Sequence, residues 1–322
     1  MRRLLMFAAL LFAFPAQATV AIDWVTVGDP GNACETQSQG CFGAVAYTYK
    51  ISKYEVKNAQ YAEFLNAVAA TDTYGLYNPE MSSSTHGGIT QSGSPGSFTY
   101  AVKPDMGNKP VTFVSFYDAL RFANWLHNGQ PTGAQDSTTT EDGAYTFSGL
   151  YTVGARNADA VVFLTSEDEW YKAAYYKGGG TSAGYWDYPA GSSTQTSCTT
   201  PGATPNAANC NASVGTVTDV GAYTGAASPS GTFDQGGNVR EWNEAIINVS
   251  RRAYRGASQR DLASALAASI RNDLNPGVDG LDLGFRVARP LFPGGIPALS
   301  PIALLLTAAG LLGFGAYRRG RA

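Results

Sequence analysis

The stretch TFDQGGNVREWNEAI (residues 232–246) is unusual for the interior of a globular chain. Two adjacent glycines, Gly236 and Gly237, lie between Asp234 and Glu241. Glycine pairs of this kind are typical of a backbone that turns sharply or approaches another group closely. The two acidic residues either complete a site for a hard cation or bracket a tight turn, and this segment alone leaves both interpretations open.

Five further motifs flank this stretch. They are YEVKNAQYAEFLNAV (54–68), KPVTFVSFYDALRFANWL (109–126), FLTSEDEWYKAAYYKGG (163–179), YRGAS (254–258) and LGFRVAR (283–289). In this order, with GTFDQGGNVREW (231–242) among them, they resemble the formylglycine-generating enzyme family, also called the sulfatase-modifying-factor domain, over nearly all of residues 45–290. The resemblance implies an α+β fold of the C-type-lectin-like kind, with many loops and little regular secondary structure.

Local patterns independently predict an α+β chain with much irregular structure. Ser115 with Asp118, and Ser166 with Glu169, have the spacing of residues that cap a helix N-terminus. Apolar residues at helical spacing follow both caps and also occupy a third, earlier segment. The predicted helices are 58–70, 115–128 and 166–177.

Short β-type runs and polar stretches fill the intervals. Strands are predicted at 44–51, 111–114 and 161–164, where β-branched and aromatic residues concentrate. Surface loops are predicted at 130–141 and 192–213, which are rich in Gly, Ser, Thr and Asn.

The resemblance assigns calcium to the opening stretch. In the family, a Gly-Asn-x-x-Glu-Trp loop binds a structural calcium ion. By position, Asp234 and Glu241 would supply side-chain oxygens, and Gly237 and Val239 would supply backbone carbonyls. Calcium accepts several oxygen ligands at flexible geometry, carbonyls included. The family usually has tryptophan where Arg240 stands, a difference that concerns a pocket wall more than the calcium ligands.

The resemblance also predicts that the family's reaction is lost. Active members oxidise a sulfatase cysteine to formylglycine with copper(I), which two soft cysteine thiolates hold. Those cysteines fall between the family's Arg-Gly-Gly-Ser and Gly-Phe-Arg motifs, an interval that here spans 258–284 and contains no cysteine. Related sulfur-oxidising members use a histidine-liganded iron, but only His86 and His127 are present, far apart in sequence. We expect no bound copper and assign no catalytic residue.

Ser258 and Arg271 align with residues near the family's substrate cleft, so they are the candidate pocket residues. The alternative is that both are buried polar anchors. Arginine has five N–H donors that can satisfy carbonyls left unpaired by an irregular backbone. We therefore expect that Arg255, Arg271 and Arg286 stabilise the scaffold.

The four cysteines indicate an oxidising compartment. Cys34 and Cys41 form one sequence-local pair, and Cys198 and Cys210 form another. Four cysteines allow three connectivities, which the sequence does not distinguish. Local pairing would stabilise the fold by about 2.5 to 3 kcal/mol for each bridge on the chain-entropy model.

The first 18 residues have the features of a secretory signal peptide. Arg2 and Arg3 precede an apolar run, residues 4–14, and Ala16-Gln17-Ala18 supplies a small-x-small exit. Eleven apolar residues are too few for a bilayer span, which needs about 20. We expect export, leaving a single domain over residues 19–290.

The last segment, 291–322, has three parts: the Pro-containing motif 296–301, an apolar stretch 302–317 and the basic end 318–322. This arrangement resembles the bacterial C-terminal sorting signals that exosortase-like enzymes cleave. The alternative is a permanent membrane anchor whose arginines stay on the cytoplasmic side.

Charge excludes one class of partner. Without residues 1–18 and 318–322, the chain has 17 basic and 25 acidic residues, a net charge near −8. No Lys/Arg cluster remains, so nucleic-acid binding has no electrostatic basis. A negative surface favours divalent cations.

Two functional hypotheses follow. In the first, the chain is an exported, surface-associated module that binds a protein or carbohydrate ligand and no longer oxidises cysteine. In the second, it is a metal-dependent oxidoreductase of the family with unrecognised metal ligands, acting on protein cysteine or another thiol. The cysteine-free interval 258–284 favours the first.

Overall fold

The structure, a computed structural model, describes residues 19–248 and 250–291. The predicted signal peptide and all but the first residue of the predicted C-terminal segment lie outside the described residues. Within the described ranges, no helix combines the length and the apolar character that a membrane crossing requires.

All three predicted helices form, each within the predicted limits. Ser115 accepts a hydrogen bond from Asp118 N, and Ser166 accepts one from Glu169 N, so both predicted caps are present. Among the described residues one short α-helix, α2, was not predicted, and two 3-10 turns occur at Gly180–Ser182 and Ala263–Leu266. The α-helices are α1 Asn58–Val68, α2 Glu80–Ser83, α3 Phe116–His127 and α4 Glu167–Tyr175.

The strands are mostly short. They are β1 Trp24–Val27, β2 Glu35–Gln37, β3 Gly40–Phe42, β4 Tyr49–Ser52, β5 Ile89–Ser92, β6 Thr99–Val102, β7 Phe147–Gly149, β8 Thr152–Val153, β9 Phe163–Leu164, β10 Ser197–Cys198, β11 Ala207–Ala208, β12 Arg240–Asn248, β13 Arg251–Arg255, β14 Asn272–Leu274, β15 Leu283–Phe285 and β16 Val287–Pro290. Few helices and many short strands confirm the predicted loop-rich α+β fold.

Two four-stranded sheets organise the domain. One has the antiparallel order β1-β4-β16-β9, and the other has the order β14-β13-β12-β15 with β12 and β15 parallel. The remaining strands form two-stranded ladders. Aromatic side chains of α1 and α3 fill the core beside these sheets, with the Tyr61 and Phe122 rings stacked at 5.9 Å.

The predicted strand at 111–114 is wrong. Val111 N donates to Val56 O, whereas Phe113 N donates to Gly280 O, so the segment bonds to two different partners instead of one ladder. Phe113 also has a φ of +59°, which no pleated strand can adopt. The apolar run reflects burial in the core and not β-structure.

The other predicted boundaries need smaller corrections. The strand predicted at 44–51 begins only at Tyr49, and the one predicted at 161–164 is limited to Phe163–Leu164. The segment 192–213 is not wholly a surface loop, because β10 and β11 pair within it and Cys210 is fully buried.

Candidate functional site

An open cavity of about 680 Å³ lies where separate segments of the chain meet. They are the start of α2, the loop before α3, the start of β12, the loop after β13 and the loop before β15. This volume is typical of small-molecule sites. The charged residues of the lining are Glu80, Arg240, Arg260, Asp261, Asp279 and Asp282.

Arg240 holds two of these carboxylates in place. Its Nε and Nη2 donate to Asp261 at 3.0 and 2.8 Å, and its Nη1 lies 3.4 Å from Asp282 Oδ2. Burial alone would raise the pKa of Asp261, but hydrogen bonds from Arg240 and Ser258 outweigh burial and hold that pKa below its usual range. Asp261 is therefore ionised at neutral pH, in a fixed orientation.

Ser258, the first candidate pocket residue, contacts both of these aspartates. Its backbone N and its Oγ both donate to Asp261 Oδ2 at 2.8 Å. Its Oγ also lies 3.4 Å from Asp282 Oδ2. Since Ser258 is fully buried, it contacts the wall of the cavity from behind and orients the two aspartates.

Arg271, the second candidate, lies elsewhere. Its Nη2 donates to Glu167 Oε2 at 2.5 Å, and its guanidinium lies 5.2 Å from the ring centre of Phe42. Glu167 also accepts a hydrogen bond from Arg255 Nε at 2.8 Å. The structure thus places Arg271 in an ion-pair network with Glu167 of α4, and Arg271 does not line the cavity.

The cavity carries an excess of negative charge. The lining has four carboxylates, those of Glu80, Asp261, Asp279 and Asp282, against the two guanidiniums of Arg240 and Arg260, which leaves two negative charges in excess. Asp279 accepts a hydrogen bond from Asn78 Nδ2 at 2.7 Å, a neutral donor that does not reduce its charge. A cavity of this sign attracts a cationic group and repels polyanions.

Sequence reasoning missed most of these residues. Three of the four carboxylates lie in the interval 258–284, which in the sequence is notable for its lack of cysteine. Arg240 stands out in the sequence only as a departure from the family's tryptophan. An available signal was the concentration of Arg260, Asp261, Asp279 and Asp282 in an otherwise weakly charged region.

The stretch 232–246 consists of a tight turn with left-handed backbone, up to residue 239, and the first part of β12. Asp234, Gly237 and Asn238 all have positive φ, at +59°, +85° and +60°. A Cβ at Gly237 would lie 2.4 Å from the carbonyl oxygen of Asn209, so only glycine fits there. The turn supports the idea that this backbone approaches another group closely.

Glu241 is buried in contact with Arg286 and Trp170. Its Oε2 accepts hydrogen bonds from Trp170 Nε1 at 2.7 Å and Arg286 Nε at 2.6 Å. Its Oε1 accepts one from Arg286 Nη2 at 2.7 Å and no other from the described residues. Because a carboxylate has about four lone-pair sites, Oε1 keeps one for a further ligand.

Buried charge around this turn is unbalanced. The carboxylates of Glu55, Asp234 and Glu241 are buried near one guanidinium, that of Arg286. Burial, together with repulsion from Asp234 and Glu241, raises the pKa of Glu55 well above its usual range. Burial also raises the pKa of Asp234 to about 6. A bound cation would neutralise this excess.

The donor set fits calcium if carbonyls take part. Asp234 Oδ2 accepts a hydrogen bond from Gly221 N at 2.6 Å, and within the described residues its Oδ1 accepts none. No three His, Cys, Asp or Glu side chains in the described ranges converge on one metal position. A cation bound here would therefore need the carbonyls of Gly237 and Val239 as well as the carboxylates.

All four cysteines form disulfides, in the local pairing Cys34–Cys41 and Cys198–Cys210. The second bridge lies beside the cavity. Asn211 N donates to Asp261 O at 2.7 Å, and Ala212 N donates to Gln259 O at 2.8 Å. The bridged segment thereby supports the loop that carries Asp261.

The fold and site can be compared with known proteins. The sequence profile of the sulfatase-modifying factor enzyme 1-like domain matches residues 42–291. The solved structure of CarF has a TM-score of 0.52 and 23% identity, covering 84% of this chain and 99% of that chain. PvdO from Pseudomonas aeruginosa has a TM-score of 0.44 and 19% identity, covering 84% and 92%. A search of curated proteins gives no significant match.

Proposed function

The chain belongs to the sulfatase-modifying factor enzyme 1-like family, and we propose that it is an exported binding module of this family that does not generate formylglycine. The observation that carries the loss of this activity is that all four cysteines form disulfides. The family's oxidation needs two thiolates that hold copper(I), and here each of the four cysteines is bonded to another. Disulfides are also typical of exported proteins.

An oxidation assay tests the loss of activity. Purified protein would be loaded with copper(I), washed and assayed for bound copper and for oxygen uptake with a cysteine-containing sulfatase peptide. We expect substoichiometric copper and no uptake above the peptide blank. One copper per chain, or peptide-dependent uptake, would instead support a metal-dependent oxidoreductase of the family.

The ligand site of the module is the acidic cavity. Its polar lining and its net negative charge suit a ligand with an ammonium or guanidinium group, such as a basic segment of a partner protein. Asp279 is the residue to test, because within the described residues no cation neutralises it. The substitution D279N removes the charge and keeps the shape.

Tetralysine is the probe for this site, with tetraglutamate as the opposite-charge control. We expect tetralysine to bind, and D279N to weaken binding about tenfold, since hydrogen bonds to charged groups contribute about 1.5 to 3 kcal/mol. The exposed Asp159, which does not line the cavity, provides the matched control D159N. Equal binding by both variants would reject the cavity as the site.

We also propose that the turn at 234–241 binds a structural calcium ion through Asp234, Glu241 and the carbonyls of Gly237 and Val239. The unbalanced buried carboxylates and the fit of the donor set support this proposal. Calcium at 100 times its Kd would stabilise the fold by about 2.7 kcal/mol. Chelation should therefore lower the Tm of the wild type and leave that of D234A unchanged. No Tm change in the wild type would reject the site.

The proposals of export and of attachment to the cell envelope rest on the sequence patterns at the two ends of the chain. The N-terminal segment has the pattern of a signal peptide, and the C-terminal segment would be either the substrate of a sorting protease or a membrane anchor. Mass spectrometry of the protein from its native cells tests both. We expect an N-terminus after Ala18, and a mature mass near that of the unprocessed chain would reject export.

A further inference from the structure

A second open cavity, of about 510 Å³, is lined in part by the segment between β14 and β15 that also contributes to the acidic cavity. Residues 275–278 line the second cavity, and residues 279–282 line the acidic one. The start of α3, the β7–β8 turn and the β12–β13 turn complete its walls. The aromatic and polar side chains of its wall are Tyr117, Tyr151, Ser250 and Asn275.

Tyr151 presents an unusually exposed aromatic ring at this cavity. Its exposed fraction is 62%, although Tyr117 packs against it with ring centres 5.2 Å apart. Val278, another wall residue, is also exposed. Leu150, which precedes Tyr151 in the sequence, is exposed as well. Exposed apolar groups that cluster at a cavity are typical of a binding site.

Arg252 is the second observation, and it is independent of the first. Among the described residues its guanidinium makes no hydrogen bond and no ion pair, and its Nε is buried without a partner. Three other arginines of the same sheet, Arg240, Arg251 and Arg255, each pair with a carboxylate. A partly buried guanidinium without a partner loses hydration and gains no compensating bond, so it favours an anionic ligand.

Arg252 lies next to three walls of the cavity. It follows Ser250 by two residues, and it pairs across the sheet with Leu274, which precedes Asn275. Its guanidinium lies 5.1 Å from the ring centre of Phe116, which precedes Tyr117. Arg252 is, among the described residues, the one arginine of this sheet without a carboxylate partner, and it adjoins the cavity that exposes Tyr151.

We infer that this cavity binds a saccharide that carries a carboxylate, such as a hexuronate. One face of a sugar ring is apolar and would lie on Tyr151, while its hydroxyl groups would meet Ser250, Asn275 and the Tyr117 hydroxyl. The carboxylate would pair with the two terminal Nη atoms of Arg252, since its Nε is buried, and the planar guanidinium matches the carboxylate geometry. An acidic peptide is less suitable, because the other polar wall residues are neutral and the acidic cavity lies next to this one.

The site is independent of the acidic cavity and of the proposed function there. The residues that line it are uncharged and its anchoring charge is that of the adjoining Arg252, whereas the neighbouring cavity has an excess of carboxylates. Variants of one cavity should therefore leave binding at the other unchanged, and the failure of one proposal does not imply the failure of the other.

Titration calorimetry of the whole protein tests the inference with methyl glucuronide and, as the neutral counterpart, methyl glucoside. We expect the glucuronide to bind at least about tenfold more tightly, because only its carboxylate can pair with Arg252. R252Q should lose this preference, and Y151A should weaken both ligands. R252K, which keeps the charge and loses the fork, should retain part of the preference.

Two controls keep the test specific. Leu262 has an exposed fraction of 63% and does not line the cavity, so L262A should bind as the wild type does. D279N, in the acidic cavity, should also leave glucuronide binding unchanged. The inference is overturned by absent glucuronide binding, by equal affinity for the two glycosides, by R252Q binding as the wild type does, or by an Arg252-dependent preference for tetraglutamate.

Discussion

Arg286 forms buried hydrogen bonds to several distant parts of the chain. It is fully buried, pairs with both oxygens of Glu241, and donates to the carbonyls of Ser52 and Phe233 at 3.0 and 2.9 Å. These contacts join three segments that are far apart in sequence. Arg286 is also the guanidinium nearest to the three buried carboxylates of the proposed calcium turn.

We predict that R286M destabilises the protein by about 3 to 5 kcal/mol, because removal of one partner leaves buried carboxylates without compensation. Urea denaturation measures the change in the free energy of unfolding. R251M is the matched control, since the Arg251–Asp273 pair is half-exposed and such pairs contribute about 1 kcal/mol or less. Similar losses for the two variants would contradict the prediction.

At the scale of the element, the start of α3 combines a cap with a buried acid. Asp118 Oδ2 accepts hydrogen bonds from the backbone N and the Oγ of Ser115, at 2.8 and 2.7 Å. Burial is the larger effect, however, and it raises the pKa of Asp118 from the ordinary 3.8 to about 7. The folded protein therefore keeps a proton that the unfolded chain releases.

This difference predicts a pH dependence of stability. Between about pH 4 and pH 7 the folded state binds more protons than the unfolded state, so the free energy of unfolding should fall as the pH rises. The asparagine of D118N still accepts hydrogen bonds but cannot ionise, so the variant should lose this contribution. Denaturant unfolding across pH 4 to 8 compares the two proteins, and parallel profiles would refute the assignment.

The ladder of β10 and β11 is a second element with a defined role. The Cys198–Cys210 bridge connects its two sides, and the residues that follow Cys210 bond to the loop of Asp261. The Cys34–Cys41 bridge closes the β2–β3 hairpin, which does not line the acidic cavity. The two bridges should therefore differ in their effect on binding.

Replacement of Cys198 and Cys210 by serine should cost about 3 kcal/mol, and replacement of Cys34 and Cys41 about 2.5 kcal/mol. Tetralysine affinity should fall only in the first variant, because only that bridge holds the loop of Asp261. Thermal unfolding and calorimetry give the two quantities. Equal affinity losses would show that the first bridge does not position the cavity.

At the scale of the whole molecule, one sheet closes the domain. Its strands β1 and β4 come from the beginning of the described chain, and β16 comes from the end and lies between β4 and β9. Val287 and Ala288 of β16 are fully buried in the main core. The domain therefore completes its core only when its last strand is in place.

Truncation after Arg286 should abolish cooperative folding, because it removes β16 and leaves the facing backbone groups of β4 and β9 unpaired. Truncation after Leu291 keeps the strand and should retain the Tm of the longer chain. Circular dichroism during heating distinguishes the outcomes. A cooperative transition in the shorter protein would show that the sheet does not depend on its last strand.

Features that depend on neighbours within a few residues could be predicted from the sequence. The caps Ser115–Asp118 and Ser166–Glu169 are local hydrogen bonds, so the spacing of residue types was sufficient to place two helices. The order of motifs identified the family and with it the loop-rich fold. The disulfide pairing was not determined in this way, because three connectivities were open until the structure showed the two local bridges.

Only the tertiary structure decided which side chains share a site. It placed Ser258 behind the acidic cavity and Arg271 beside Glu167, although both came from one predicted cleft. The strand predicted at 111–114 does not form, because its residues bond to two different segments. Tertiary contacts also pair Glu241 with Arg286 and leave Arg252 without a partner among the described residues. The physical reason is that irregular backbone satisfies its polar groups through contacts between distant segments, and local spacing carries no information about those contacts.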